Sequence, residues 1–264
     1  MNISLSFLLV AIIHWGWKGR IVGIAATEFI FMLGCLVFLL NNNLLGFSLR
    51  IQYFREILRI GAPLFIYGIG WWVITLADRL FLNAMLGVSV TGVYSVGYSL
   101  ASVIEFISGG IGLAIMPFLF ERFAHPSVAQ KRTIVQYTYL YFIALFILTM
   151  AWIYAAQFFI KVFIGSDFTG SYKFVPLVSL AYFANAVFRM FSLYITYSKK
   201  TYYLVYSVAV AACLNLVFNF ILIKANGAIG AAQATFISYA ANAGLTWYFA
   251  QKVYPMPWLA FLRR

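Results

Sequence analysis

Residues 75–84 read TLADRLFLNA, and they place an aspartate and an arginine side by side inside an apolar stretch. The rest of the chain is poorer still in charge: of its 264 residues 64% are hydrophobic, 20% are aromatic and 9% are charged. A soluble domain has about 25% charged and about 45–50% apolar residues. In water this chain would expose too much apolar surface. The composition therefore predicts an integral membrane protein.

Runs of about 20 mainly apolar residues predict membrane-spanning helices, because a helix satisfies its own backbone hydrogen bonds where water is absent. The first run here is short and begins at the initiator methionine as if cut, without the basic leader of a signal peptide. We predict an all-α, polytopic membrane helix bundle of about eight transmembrane helices, at residues 2–14, 20–40, 61–86, 92–118, 133–156, 174–197, 202–222 and 228–250.

The connections between these runs alternate in positive charge. Eleven Lys and Arg fall on one side of the predicted topology and five on the other. Because the side richer in Lys and Arg faces the cytoplasm, we expect a multi-pass protein of the plasma (inner) membrane with both ends in the cytoplasm. The net charge of +12 then reflects topology and contact with anionic membrane lipids, so we expect no nucleic-acid partner. Residues 50–60 are typical of a basic amphipathic helix on the inner surface.

The cysteines and histidines offer no chemistry by their spacing. Cys35 and Cys213 lie inside predicted spans, and His14 and His125 are far apart. Neither pair has the spacing of a metal site or a disulfide framework. An acyltransferase or metalloprotease would need a histidine placed for chemistry. We therefore expect no cofactor, no metal and no enzymatic activity.

A weak repeat links the start of the chain to its last two predicted spans. Asn2, Phe7, Leu9, Gly16-x-x-Gly19 and Ala26-Thr27 recur in order as Asn215, Phe220, Leu222, Gly227-x-x-Gly230 and Ala234-Thr235. Chance similarity in apolar sequence is an open alternative. Transporters are commonly built from repeated halves, so the repeat favours a transporter.

Ionisable residues inside the spans are the main candidates for function. Each costs roughly 2.5–3.5 kcal/mol at mid-membrane unless it has a partner or a wet cavity. They are Glu28, Asp78, Arg79, Glu105 and Arg189, and helical spacing adds Asn185 beside Arg189 and Asn242 on a polar face of the last span. Polar or small residues recur on these faces, which predicts a polar interior inside an apolar bundle.

Structural roles for these residues stay open. Asp78 and Arg79 lie about 18 residues into their span, so ~26 Å from its cytoplasmic end, where they could lock two helices together. Glu28 could be satisfied by one hydrogen bond or by reaching the membrane surface. Glu105 and Arg189, nearer mid-span, could form a salt bridge without any substrate role.

Residues 58–121 carry a series of motifs: Gly61-x-Pro63, Asp78-Arg79, Leu86-Gly87, Gly92-x-Tyr94-Ser95, Tyr98 and Pro117-Phe118. This order resembles the O-antigen and capsule polysaccharide flippases of the multidrug/oligosaccharidyl-lipid/polysaccharide exporter (MOP) superfamily. GSDFTGS at 165–171 and NGAIGAAQAT at 226–235 are also similar to that family. The resemblance implies two six-helix bundles that move undecaprenyl-pyrophosphate-linked oligosaccharides from the inner to the outer leaflet during lipopolysaccharide or capsule biosynthesis.

By the family's pattern, the eight spans correspond to the fifth through twelfth helices of a 6+6 transporter. Residues 1–48 would then be the last two helices of an incomplete N-terminal bundle, and 49–60 a cytoplasmic amphipathic linker. Residues 61–250 would be a six-helix C-terminal bundle, and 251–264 a basic cytoplasmic tail. Because most of the first bundle is missing from this pattern, we expect a fragment.

The implied substrate has an anionic diphosphate head, which suggests roles for the charged residues. Arg189 and Arg79 would contact the diphosphate in inward and outward states, with Asn185 and Asn242 as further substrate-binding residues. Glu105, Asp78 and Glu28 would serve coupling or gating. A polysaccharide polymerase and a chain-length protein are the implied partners. Two alternatives stay open: a multidrug or small-cation exporter of the same superfamily, and a polymerase or acyltransferase of envelope polysaccharide assembly.

Overall fold

The computed structural model describes residues 2–44, 51–124 and 127–258, and within these ranges it contains helices and no strand. A five-residue π-helix, Leu8–Ile12, follows α1, and a 3-10 helix, Ser166–Phe174, precedes α7. The α-helices are α1 (Asn2–Phe7), α2 (Gly16–Asn41), α3 (Ile51–Leu86), α4 (Val88–Ala101), α5 (Val103–Ala124), α6 (Val128–Phe163), α7 (Val175–Tyr197), α8 (Tyr202–Asn226) and α9 (Ala228–Val253). The all-α prediction is confirmed.

Six stretches of helix in the described ranges are long and apolar enough to cross a membrane. They are Gly16–Asn41, Phe65–Leu86, Val88–Ala124, Val128–Phe163, Phe168–Tyr197 and Tyr202–Asn226. A helix of this kind needs about 20 apolar residues to cross the hydrocarbon core. The prediction of a polytopic membrane bundle is therefore confirmed, and the protein is membrane-embedded.

Two of the eight predicted spans differ from these six. At 2–14, the described helix ends at Ile12 and is shorter than a span requires. At 228–250, α9 has the length but is rich in Ala, Gly, Ser, Thr and Asn, many of which are buried. α9 packs closely against α7 and α8, where small residues let helices approach. Its composition therefore suits a protein-lined position.

The chain divides into two compact units, Met1–Ile57 and Leu58–Arg264. In the first unit α1 lies against α2 and meets its glycines, since a Cβ at Gly23 would come within 2.7 Å of Ser6 Oγ. Glu28 is exposed on α2.

From Ile51 on, the predicted surface helix at 50–60 and the predicted span at 61–86 lie in one continuous helix, α3. Its backbone stays helical through Pro63, which membrane helices tolerate when the freed backbone groups find other partners. The predicted role of 49–60 as an amphipathic linker stays a prediction.

In the second unit α7 is the central helix. Most of the stretch Phe168–Tyr197 is buried inside the protein, and α7 packs against α5, α6 and α9. Gly87, with φ of 90°, ends α3 and turns the chain into α4, a conformation that favours glycine. As a result α4 begins beside the end of α3.

The predicted tail begins inside α9, which runs to Val253. The residues that follow fold back onto α6: Lys131 Nζ donates to the Pro255 carbonyl at 3.2 Å, and Tyr139 donates to the Trp258 carbonyl at 2.9 Å. Met256 and Trp258 are buried. Residues 254–258 are thus packed against the bundle, and the rest of the predicted tail, 259–264, lies outside the described residues.

Candidate functional site

Asp78 lies on α3, is fully buried, and receives hydrogen bonds from three other helices. The Tyr94 hydroxyl on α4 donates to its Oδ2 at 2.6 Å, and Asn219 Nδ2 on α8 donates to Oδ1 at 2.8 Å. Thr235 Oγ1 on α9 lies 2.5 Å from Oδ2. A buried carboxyl group without partners would be strongly destabilising, and these contacts offset that cost. Asp78 therefore ties α3 to α4, α8 and α9; we call these four side chains the Asp78 cluster.

Arg79, the next residue, makes a different set of contacts. Its Nη1 donates to the Thr75 carbonyl at 2.8 Å, and its guanidinium lies 4.5 Å from the centre of the Tyr98 ring. Adjacent residues on a helix point about 100° apart, so Asp78 and Arg79 cannot simply pair with each other. In the structure the two side chains are indeed used separately.

Glu105 on α5 and Arg189 on α7 form an ion pair through Oε1 and Nη2. The other carboxylate oxygen of Glu105 accepts a hydrogen bond from Asn185 Nδ2 at 2.9 Å. The side chains of Arg189 and Glu105 remain 38% and 27% exposed. Three predicted residues are thus brought together, and the salt bridge that the sequence left as an alternative is present.

Gly109 shapes the position of Arg189. A Cβ at Gly109 would lie 3.0 Å from Arg189 Nη1, which is tighter than ordinary contact. Gly109 is four residues after Glu105 and so lies on the same face of α5. The missing side chain lets the guanidinium rest against α5 next to its carboxylate partner.

A cavity of about 470 Å³ borders the ion pair. Helices α3, α5, α7 and α9 line it with polar and aromatic side chains, and we call it the polar cavity: Tyr67, Trp71, Thr75, Glu105, Tyr182, Asn185, Phe188, Arg189, Ser192 and Tyr239. Pockets of about 300–1,000 Å³ commonly hold small ligands. The Glu105–Arg189 pair is therefore next to open space and is not sealed in a dry seam between helices.

The aromatic part of this cavity was not predicted from the sequence. Tyr67, Trp71 and Thr75 follow each other at intervals of four on α3, which is the spacing of one helix face. The sequence could therefore have predicted that these three side chains lie together. It could not have predicted the contribution of Tyr239, because that depends on α9 packing beside α3, where the Tyr239 ring lies 5.7 Å from the ring of Trp71.

The other predicted site residues lie elsewhere. Arg79 and Asp78 are not among the described residues that line the polar cavity, although Thr75, one turn earlier, is. Asn242 is buried on α9, outside that lining, and within the described residues its side-chain nitrogen and oxygen have no hydrogen-bond partner. Glu28 belongs to the unit Met1–Ile57. Their predicted roles remain predictions.

The first part of the chain is similar to a family of known proteins. The model of a family described as polysaccharide biosynthesis protein matches residues 3–123. No curated protein and no solved structure gives a significant match to the chain. The matched part contains Asp78, Arg79 and Glu105 but ends before Asn185 and Arg189. The match confirms the resemblance seen in the sequence and supports a role in polysaccharide biosynthesis.

Proposed function

We propose that this chain, whose residues 3–123 match the model of a family described as polysaccharide biosynthesis protein, moves undecaprenyl-pyrophosphate-linked oligosaccharide units from the inner to the outer leaflet of the plasma (inner) membrane. The family match supports the pathway, and the six apolar helices support a membrane location. The observation that carries the transport step is the polar cavity beside the Glu105–Arg189 pair.

The head of such a substrate needs a cationic, hydrated route. By a simple Born calculation, moving an isolated ionised group from water into hydrocarbon costs on the order of tens of kcal/mol. A diphosphate could not cross the membrane unaided against such a barrier. Arg189 stays charged even when partly desolvated, and its planar guanidinium can donate two parallel hydrogen bonds to phosphate oxygens. It is half-buried and faces the polar cavity. In this proposal Arg189 binds the diphosphate.

The ion pair gives the site a resting state. Without substrate Glu105 neutralises Arg189. A diphosphate that enters the polar cavity competes with Glu105 for the guanidinium, while Asn185 keeps a hydrogen bond to the released carboxylate. Glu105 is then free to take a proton or a cation, which is the coupling role proposed for it. The pair therefore exchanges partners without leaving a bare charge on either side.

The aromatic residues suit the sugars. Tyr67 and Trp71, which are half-buried, offer ring surface to the apolar face of a sugar, and polar groups of the cavity wall offer hydrogen bonds to its edge. Tyr182 and Tyr239 are buried in that wall behind them. The volume of about 470 Å³ suits a ligand of drug size. We propose that it holds the first sugars next to the diphosphate and not a long polymer.

Alternating access would come from one bundle rocking against another. We propose that the unit Leu58–Arg264 moves as one such bundle. The Asp78 cluster supports this, because it ties four of its helices together through buried hydrogen bonds. Both chain ends are proposed to face the cytoplasm, in keeping with the distribution of Lys and Arg.

Replacement of Arg189 tests the function. In cells whose surface polysaccharide depends on this protein, Arg189→Ala should lower surface polysaccharide at least about tenfold, since a lost charge-assisted contact of ~1.4 kcal/mol or more changes a rate or an affinity by that factor. Arg189→Lys, which keeps the charge but not the fork of donors, should fall in between. Protein level is followed by immunoblot.

Arg132→Ala, on an exposed position of α6, is the matched control and should export normally. Normal export by Arg189→Ala at normal protein level would remove Arg189 from the mechanism. Glu105→Gln separates the alternative exporter: reduced resistance to toxic organic cations with unchanged surface polysaccharide would favour a small-cation exporter over the flippase.

A further inference from the structure

Two more cavities lie between the polar cavity and α6, and the nearer one is lined by Arg189. The first, of about 150 Å³, lies along α5 and α7 and shares Arg189 and Ser192 with the polar cavity. Gly109 and Gly112 line it on α5, and open space lies beside Gly112, since a Cβ there would meet nothing within 4 Å. The guanidinium of Arg189 is therefore accessible from two cavities.

The second is a groove of about 330 Å³ between α5 and α6. It shares Ile115, Tyr141 and Met190 with the smaller cavity, so these side chains border both spaces and the two are neighbours. Its lining is nearly all apolar, and it includes Phe118, Leu140 and Ala144. The one buried hydroxyl in it, that of Thr138, already donates to the Ile134 carbonyl at 2.9 Å. We call it the α5–α6 groove.

The three spaces form a sequence of environments. The polar cavity has aromatic, carboxylate and amide groups, Arg189 supplies a cation at the junction, and the α5–α6 groove is apolar. An amphiphile with a sugar head, an anionic linker and a hydrocarbon chain has the same order of chemistry. The charge at the junction is what distinguishes this groove from any other apolar face of a membrane protein.

We propose that the α5–α6 groove binds the polyprenyl chain of the lipid carrier at the end next to the diphosphate, while Arg189 holds the diphosphate and the polar cavity holds the sugars. This proposal rests on the proposed function and extends it to the lipid part of the substrate. Because lipid tails are as apolar as leucine, the groove gains little from the hydrophobic effect inside a bilayer. Its contribution is to orient the chain so that the diphosphate meets Arg189.

Photochemical labelling of the whole chain in lipid nanodiscs tests this binding site. The probe is an isoprenyl diphosphate with a photoactivatable group on its chain, and the matched probe is the same isoprenol without diphosphate. We expect the diphosphate probe to label peptides from α5 and α6 around Phe118 and Ala144, and inorganic pyrophosphate to compete with it. The isoprenol should label lipid-exposed helices without competition.

Ala144→Phe fills the groove and should reduce labelling by the diphosphate probe about tenfold. Ala151→Phe is the matched control: it makes the same change two turns later on an exposed position of α6 that lines none of the three cavities, and it should label as the wild type does. Ala144→Val should give an intermediate reduction, and it takes the place of Ala144→Phe if the larger side chain prevents folding.

The outcomes separate the groove from the proposed function. If Arg189→Ala abolishes labelling while Ala144→Phe and Ala144→Val label as the wild type does, the groove proposal is wrong and the diphosphate site stands. If Arg189→Ala leaves labelling and pyrophosphate competition unchanged, Arg189 does not bind the diphosphate, and both the groove proposal and the role of Arg189 in the proposed function are wrong. A disulfide-linked dimer formed through Ala144→Cys would show that a second copy of the chain covers the groove, and would also overturn the proposal.

Discussion

Asp78 has no exposed surface and its oxygens are met by a tyrosine, an asparagine and a threonine from three other helices, whereas Arg189 keeps 38% of its side chain exposed beside a cavity. Both are charged residues on helices of one apolar bundle. The first arrangement uses fixed donors and leaves no room for a ligand. The second leaves a charge with one ionic partner and open space. The difference indicates that Asp78 holds the helices together and that Arg189 is available for binding.

The largest effect on stability is expected from Asp78→Ala. The substitution removes the buried acceptor that Tyr94, Asn219 and Thr235 share. Asn219 and Thr235 each have a second acceptor, the Asn215 side-chain oxygen and the Ala231 carbonyl, both at 3.1 Å, so the Tyr94 hydroxyl loses most. A buried polar group left unsatisfied costs about 1–3 kcal/mol, and each lost hydrogen bond to a charged group costs about 1.5–3 kcal/mol. We expect a markedly lower melting temperature in detergent and poor accumulation in the membrane. Glu105→Gln, at the open site, should change the melting temperature much less.

Asp78→Ala and Glu105→Gln can also disprove the contrast between a structural Asp78 and an open ion pair. If Asp78→Ala accumulates and melts like the wild type but fails to export polysaccharide, Asp78 is a coupling or gating residue, as the sequence first suggested. A melting temperature for Glu105→Gln as low as that of Asp78→Ala would mean that the open ion pair is equally important for the fold.

A smaller loss is expected from Thr235→Val, which replaces one hydroxyl of the Asp78 cluster with a methyl group of similar size. One hydrogen bond to a charged group contributes about 1.5–3 kcal/mol. Thr246→Val is the matched control on the same helix, because the Thr246 hydroxyl donates at 3.1 Å to the neutral hydroxyl of Ser207. That neutral bond should contribute about 1 kcal/mol. Equal melting temperatures for the two variants would contradict a special role for Asp78.

The depth of each polar residue in the membrane could be estimated from the sequence. Which helices pack against one another could not. The four residues of the Asp78 cluster each lie seven to nine residues from one of the two turn glycines, 87 and 227. Two helices joined by a tight turn begin at the same depth, so residues equally far from the turn lie at similar depth in the membrane. Contact among the four side chains of the Asp78 cluster was therefore possible in principle. Which faces meet depends on packing. Glu105 and Arg189 are on different helices with α6 between them in the chain, and their spacing alone allowed both a salt bridge and separate ligand contacts.

The helical fold was predictable because bilayer thickness and backbone hydrogen bonding leave few choices for a chain of this composition. The role of α9 was less predictable from the sequence. Its pattern of Thr, Ser and Asn predicted a polar face, but the face serves different purposes along its length: Thr235 meets Asp78, Tyr239 lines the polar cavity, and Asn242 is buried away from it. Periodicity gives a shared face and cannot tell these environments apart.

The smallest effect on stability, and the sharpest test of the open site, is expected from Gly109→Ala. Alanine is about 0.5–1 kcal/mol better than glycine inside a helix, which favours the variant. The new Cβ would lie 3.0 Å from Arg189 Nη1, so the guanidinium must move, and as the end of a flexible side chain it can do so at little cost to folding. We therefore expect an unchanged or slightly higher melting temperature.

Surface polysaccharide should nevertheless fall severalfold in Gly109→Ala, because Arg189 no longer sits at the junction of the cavities. Gly110→Ala is the matched control, since a Cβ there meets nothing within 4 Å, and it should gain the same helix stability with normal export. If both variants export equally well, the position of the Arg189 guanidinium does not matter for transport. If Gly109→Ala instead loses melting temperature and export together, the open site contributes to the fold much as Asp78 does, and the contrast between the two sites disappears.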